Sequence, residues 1–122
     1  MEIGIPETII KLPESMLSWR GKFFSNIRER IQNEYETTGE GTAWCACIGN
    51  NIASLSIINK DENIKNYLKQ KGTYETVSRE IMKLEDELEL FTRKYPDRSS
   101  VVPQAEIDEW INKMENLQHY FY

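Results

Sequence analysis

Residues 43–58, AWCACIGNNIASLSII, are the least polar run of this 122-residue chain, and how they fold decides whether the protein contains a sheet. Two readings compete. As a helix, Trp44, Ile48, Ile52 and Leu55 share one face, but Gly49, Asn50 and Asn51 then stand mid-helix, three poor formers in succession. As a hairpin, residues 52–57 alternate apolar with small or polar side chains, Trp44, Ala46 and Ile48 share a face, and Gly-Asn-Asn tolerates positive φ at the turn. The turn chemistry favours the hairpin. A two-stranded ribbon is marginal alone, so it is expected to lie on helices or to recruit a third strand from Thr8 to Leu12.

The flanks are helical in pattern. Downstream, Asn59-Lys60-Asp61-Glu62 has the form of a capping box, with Asn59 as the cap of a short helix carrying Ile64, Tyr67 and Leu68 and ending at Gly72. Tyr74, Val77, Ile81, Leu84, Leu88, Phe91 and Tyr95 then follow steps of three and four, predicting a long helix capped by Thr73. Ile107, Trp110, Met114, Leu117 and Phe121 repeat those steps beyond the segment YPDRSSVVP, where Pro96 closes one helix and Pro103 opens the next. Matching seams and a short connection predict an antiparallel helical hairpin. Upstream, Leu17, Phe24, Ile27, Ile31 and Tyr35 share a face, predicting one helix from Pro13 to Glu36 that contains Gly21. The predicted fold class is therefore α+β, mainly helical. It comprises an N-terminal helix, a small β-hairpin, a short helix and a long antiparallel C-terminal helical hairpin, in a single domain over residues 1–122.

The formal charge is −5, and all of it comes from residues 80–122, where ten acidic side chains meet five basic ones; residues 1–79 hold ten of each. Such a balance speaks against general nucleic-acid binding, which depends on Lys and Arg neutralising phosphates. No stretch reaches the roughly 18–20 consecutive apolar residues of a spanning helix, and the start MEIGIPETII lacks the basic and apolar regions of a signal peptide. A cytoplasmic setting without a membrane is the expectation.

Candidate chemistry is sparse. On a strand Cys45 and Cys47 would point the same way with Cα atoms about 6.5–7 Å apart, at or beyond the reach of an unstrained disulfide. Zinc would need further ligands, and His119 is the sole histidine. A Cys nucleophile with His119 as base would need an orienting group and an oxyanion site, for which no motif exists. Gly39-Glu40-Gly41 lacks the third glycine and the lysine of a phosphate loop. Arg98-Ser99-Ser100, ahead of the last helix, has the residue types of an anion site and nothing more. The cysteines read as apolar filling, with no metal and no cofactor. Of the acidic run Glu85, Asp86, Glu87 and Glu89, only Glu85 and Glu89 share a helical face.

These features point away from catalysis. The expected function is that of a small acidic protein-binding protein, of the inhibitor or immunity type, covering a basic surface of another protein. Its binding residues would be Glu85, Glu89, Asp108 and Glu109 for steering, with Trp110 and Tyr120 as aromatic anchors. One alternative is an oligomeric binder of a small, nucleotide-like ligand, with chains joined through the helical seams and pockets lined by Trp44, Tyr67 or Trp110. The other is a thiol-dependent enzyme using Cys45 or Cys47.

Overall fold

The computed structural model describes residues 11–38, 41–96 and 101–122, with side chains at 38 and 41–43 left aside. Among these residues the chain is all-helical and contains no strand. The order is α1 (Glu14–Phe24), α2 (Ile27–Thr38), α3 (Gly41–Ser54), α4 (Ile57–Lys60), α5 (Glu62–Lys71), α6 (Tyr74–Lys94) and α7 (Gln104–Glu115), followed by a 3-10 turn at Gln118–Tyr120.

The expected β-hairpin is replaced by α3 and α4. The helical stripe of Trp44, Ile48, Ile52 and Leu55 wins, because those four side chains all enter the core, each 3% exposed or less. The poor formers are accommodated one by one. Gly49 faces Leu88 of α6, Asn50 is exposed, and Asn51 spends its amide on neighbouring elements. Burial of a full apolar face outweighs a helix-propensity deficit of about 1 kcal/mol per poor residue. Leu12 is not in a strand, and the rest of the expected third strand, residues 8–10, lies outside the described residues.

The single N-terminal helix is also corrected. It breaks at Ser25 and Asn26, where Asn26 adopts φ 53°, a left-handed conformation that Asn accepts more readily than most residues. Gly21 lies inside α1 with open space around it. At α5 the cap is Asp61, whose carboxylate accepts from the amides of Asn63 and Ile64 at 2.9 and 3.2 Å. Asn59 instead accepts from the Tyr74 hydroxyl. Gly72 closes α5 at φ +78°, and α6 covers 21 residues.

Four helices form an up-and-down bundle, and their side-chain pairs give its directions. Between α2 and α3, Arg30 meets Asn51 and Tyr35 meets Trp44. Between α3 and α6, Cys45 meets Thr92 and Gly49 meets Leu88. Between α6 and α7, Lys94 meets Glu106, Phe91 meets Trp110 and Glu87 meets Lys113. Between α7 and α2, Asn112 and Glu115 meet Arg28 while Gln104 meets Gln32. In every pair one number rises as the other falls, so each helix is antiparallel to both neighbours. The C-terminal helical hairpin is present, yet the backbone of α6 lies closest to α3 and that of α7 to α2. Large side chains bridge α6 to α7.

One end of the bundle is closed by α1, α4, α5 and the C-terminal turn. Trp19 packs on Phe23 and Phe121, both at ring-centroid distances of 5.0 Å, and Arg20 donates to the Phe121 carbonyl at 2.6 Å. Val77, Ile81, Leu84 and Phe91 of α6, with Ile107, Trp110, Met114, Leu117 and Phe121, are all buried. Both seams are thus filled from within one chain.

Candidate functional site

The acidic residues singled out by sequence do not form one patch. Glu85 and Glu89, one turn apart on α6, are exposed on the flank of that helix nearer α3. Asp108 lies on the other flank of the hairpin, where it accepts from Gln104 at 3.0 Å and lines a groove with Arg28, Glu29 and Gln32 of α2. Glu109 is exposed on the outer side of α7. Between the two flanks, the α6–α7 groove is mixed in charge: Glu80, Lys83, Glu87 and Lys113 line it, with ion pairs of 3.3 Å for Lys83–Glu80 and 3.1 Å for Lys113–Glu87.

The two aromatic candidates have separate fates. Trp110 is 4% exposed, edge-on to Phe91 and beneath the Lys113 ammonium, so it serves the interior. Tyr120 is half-buried at the C-terminal turn and packs at a tilt on the His119 ring. Trp44 is wholly buried, and Tyr67 is half-buried beside a cleft of about 920 Å³ between α1 and α5.

The helical form of residues 44–55 also changes the cysteine geometry. Two residues apart on a helix, the thiols diverge: Cys45 is buried towards Thr92 of α6, and Cys47 is half-buried towards Glu34 of α2. Both are unpaired. Burial pushes the Cys45 thiol up, and a smaller opposing pull comes from its hydrogen bond with Thr92. Cys47 is pushed up by burial and then by the Glu34 carboxylate. Both shifts favour the protonated thiol over the nucleophilic thiolate. His119 shares its groove with Glu80, whereas Cys45 faces Thr92, twelve residues or about 18 Å further along α6. No dyad assembles. Among the described residues no three His, Cys, Asp or Glu side chains are grouped as metal ligands would be.

Two features had escaped the sequence reading. The first is a polar junction between α2 and α3. Arg30 donates to Asn51 Oδ1 at 2.7 Å and to the Phe23 carbonyl at 2.8 Å, while Asn51 donates to the Cys47 carbonyl at 2.9 Å and to Glu34 at 3.2 Å. Asn51 is 5% exposed and each of its hydrogen bonds is local or to α2. Clefts of about 500 and 440 Å³ adjoin this junction, sharing Arg30 and Glu34. Its first role is structural, since Arg30 takes a carbonyl at the end of α1 and ties the α1–α2 corner to α3.

The second feature is the outer face of α6. Met82 and Leu90 stand 61% and 64% exposed, two turns apart, with Glu85, Asp86 and Glu89 between them. Glu85 and Asp86 have no ion pair among the described residues, and Glu89 has an exposed one with Arg93 at 3.6 Å. The signal was legible: both apolar residues fall off the seam that the rest of the helix obeys. No described helix is long and apolar enough to cross a membrane. Comparison of the chain with protein-family models, with curated proteins and with solved structures finds no match in any of the three.

Proposed function

We propose that this chain is a non-catalytic protein-binding protein, of the inhibitor or immunity type, that docks a basic protein surface on the outer face of α6. The observation that carries the reading is the exposure of Met82 and Leu90 around Glu85, Asp86 and Glu89. An apolar pair flanking three carboxylates supplies both parts of an interface: side chains to desolvate, and charge to steer encounter with a basic partner. Of the acids named by sequence, Glu85 and Glu89 belong to this face, and Asp108 and Glu109 serve it only at long range. A cytoplasmic setting is part of the proposal and fits two unpaired thiols.

A photo-cross-linking residue in place of Asp86 tests this directly. It should capture a protein that presents a basic surface. Glu85→Lys with Glu89→Lys in the same molecule should abolish the capture while leaving the helical circular dichroism intact. Capture by a probe at Asn33, across the bundle on α2, with none at position 86, would overturn the reading.

A further inference from the structure

The net charge conceals a separation. Helix α5 carries Lys65, Lys69 and Lys71, and none of the three is ion-paired among the described residues. They stand over aromatic rings instead. The ammonium groups of Lys65 and Lys69 lie 5.8 and 5.3 Å from the Tyr74 ring centroid, and that of Lys71 lies 5.4 Å from Tyr67. Both tyrosines are half-buried. Further along α6 from Tyr74 come the carboxylates of Glu85, Asp86 and Glu89 between exposed Met82 and Leu90. From Tyr74 to Glu85 and Glu89 is eleven and fifteen residues, about 17 and 22 Å of helix.

We propose that the basic surface met by α6 belongs to a second copy of this chain: the Lys65–Lys69 pair over Tyr74 of one copy docks on the Glu85–Asp86–Glu89 face of the next. This rests on the reading that the outer face of α6 binds protein, and it names the partner. The chemistry matches in both parts. Ammonium groups meet carboxylates at the rim, and the Tyr74 ring meets Met82 and Leu90. A symmetric pairing of acidic face on acidic face would oppose like charges. Because the two surfaces are different and displaced along one helix, two copies can pair reciprocally, each basic surface on the other's acidic face, or one copy can dock head-to-tail on the next.

Sedimentation velocity on the full chain tests this. At about 20 mM salt the sedimentation coefficient should rise with protein concentration, and at about 0.5 M salt it should return to the monomer value. Lys65→Glu/Lys69→Glu and Glu85→Lys/Glu89→Lys, each confirmed as folded by circular dichroism, should each weaken association by about tenfold or more. An equimolar mixture of the two variants is the decisive sample. The first retains a normal acidic face and the second a normal basic one, and the two reversed surfaces are themselves complementary in charge, so the mixture should regain the association that each variant alone has lost. A wild-type chain that stays monomeric at low salt, or a mixture that stays monomeric, would overturn the inference. If the probe at position 86 still captures a different basic protein, only this inference fails; if that capture fails as well, the reading of the α6 face falls with it.

Discussion

Helices α3 and α6 lie antiparallel against each other, and they are stabilised in opposite ways. Between Gly41 and Ser54, α3 has no charged residue, and its one buried polar side chain among the described residues, Asn51, is bonded to α2 and to its own Cys47 carbonyl. In α6, ten of the 21 residues are charged, and the buried ones form a single stripe from Val77 to Phe91. The long helix is specified by its own period, and its polar face is supported by pairs such as Glu89 with Arg93. The short one is helical because its neighbours reward that form: Ile48 and Leu55 fill the core, and Gly49 meets Leu88. Damage to α3 should therefore spread into the whole bundle, and damage to the outer face of α6 should stay local.

The largest effects come from the shared core. Ile48→Ala, at a wholly buried site, and Leu84→Ala, at 4% exposure, should each lower the unfolding free energy by about 2–5 kcal/mol. Leu88→Ala should cost less, about 1–2 kcal/mol, since Leu88 is half-exposed where it meets Gly49. Urea titration followed by circular dichroism measures all three. Equal losses at positions 84 and 88 would mean that the α3–α6 contact is tighter than this geometry.

Next in size is the polar junction. Asn51→Ala would remove the bonds to Arg30 and Glu34 at a buried position, leaving Arg30 with the Phe23 carbonyl, and should cost about 1–3 kcal/mol. Asn50→Ala, one residue away and exposed, should change stability by less than about 0.5 kcal/mol. The same titration separates them. Equal effects would reduce Asn51 to an ordinary poor helix former.

This contrast also explains what the sequence could reveal. The length and seam of α6, the stop at Gly72 and the antiparallel course of α7 were legible, because each depends on residues close in the chain. The form of residues 43–58 was not. Gly-Asn-Asn has the same turn chemistry whether or not Asn51 finds Arg30 and Glu34, and those partners lie 17 to 21 residues away. The break at Asn26 was hidden for a similar reason, since a left-handed Asn interrupts the backbone without disturbing the apolar stripe on either side. Within the candidate face, Glu85 and Glu89 were read from their spacing. Asp108 was misgrouped with them, because a helical wheel does not tell which neighbour each flank of α7 will meet, and that neighbour is α2.

The smallest effect carries the opposite sign, and it bears on why α3 was hard to read. Gly49 has helical, negative φ, so it does not need the backbone freedom that glycine offers. A Cβ added there would stand 3.6 Å from Leu88 Cδ2, an ordinary van der Waals contact. Alanine also restricts the unfolded chain and has the higher helix propensity. Gly49→Ala should therefore stabilise the protein by about 0.5–1 kcal/mol. In the Asn51→Ala background the gain should persist, since Gly49 turns towards α6 and Asn51 towards α2 and the two side chains share no partner. A loss of stability in Gly49→Ala would show instead that α3 and α6 need the closest approach that glycine permits. The glycine would then be a packing requirement of the α3–α6 interface and no longer a weak point in an otherwise well-buried helix.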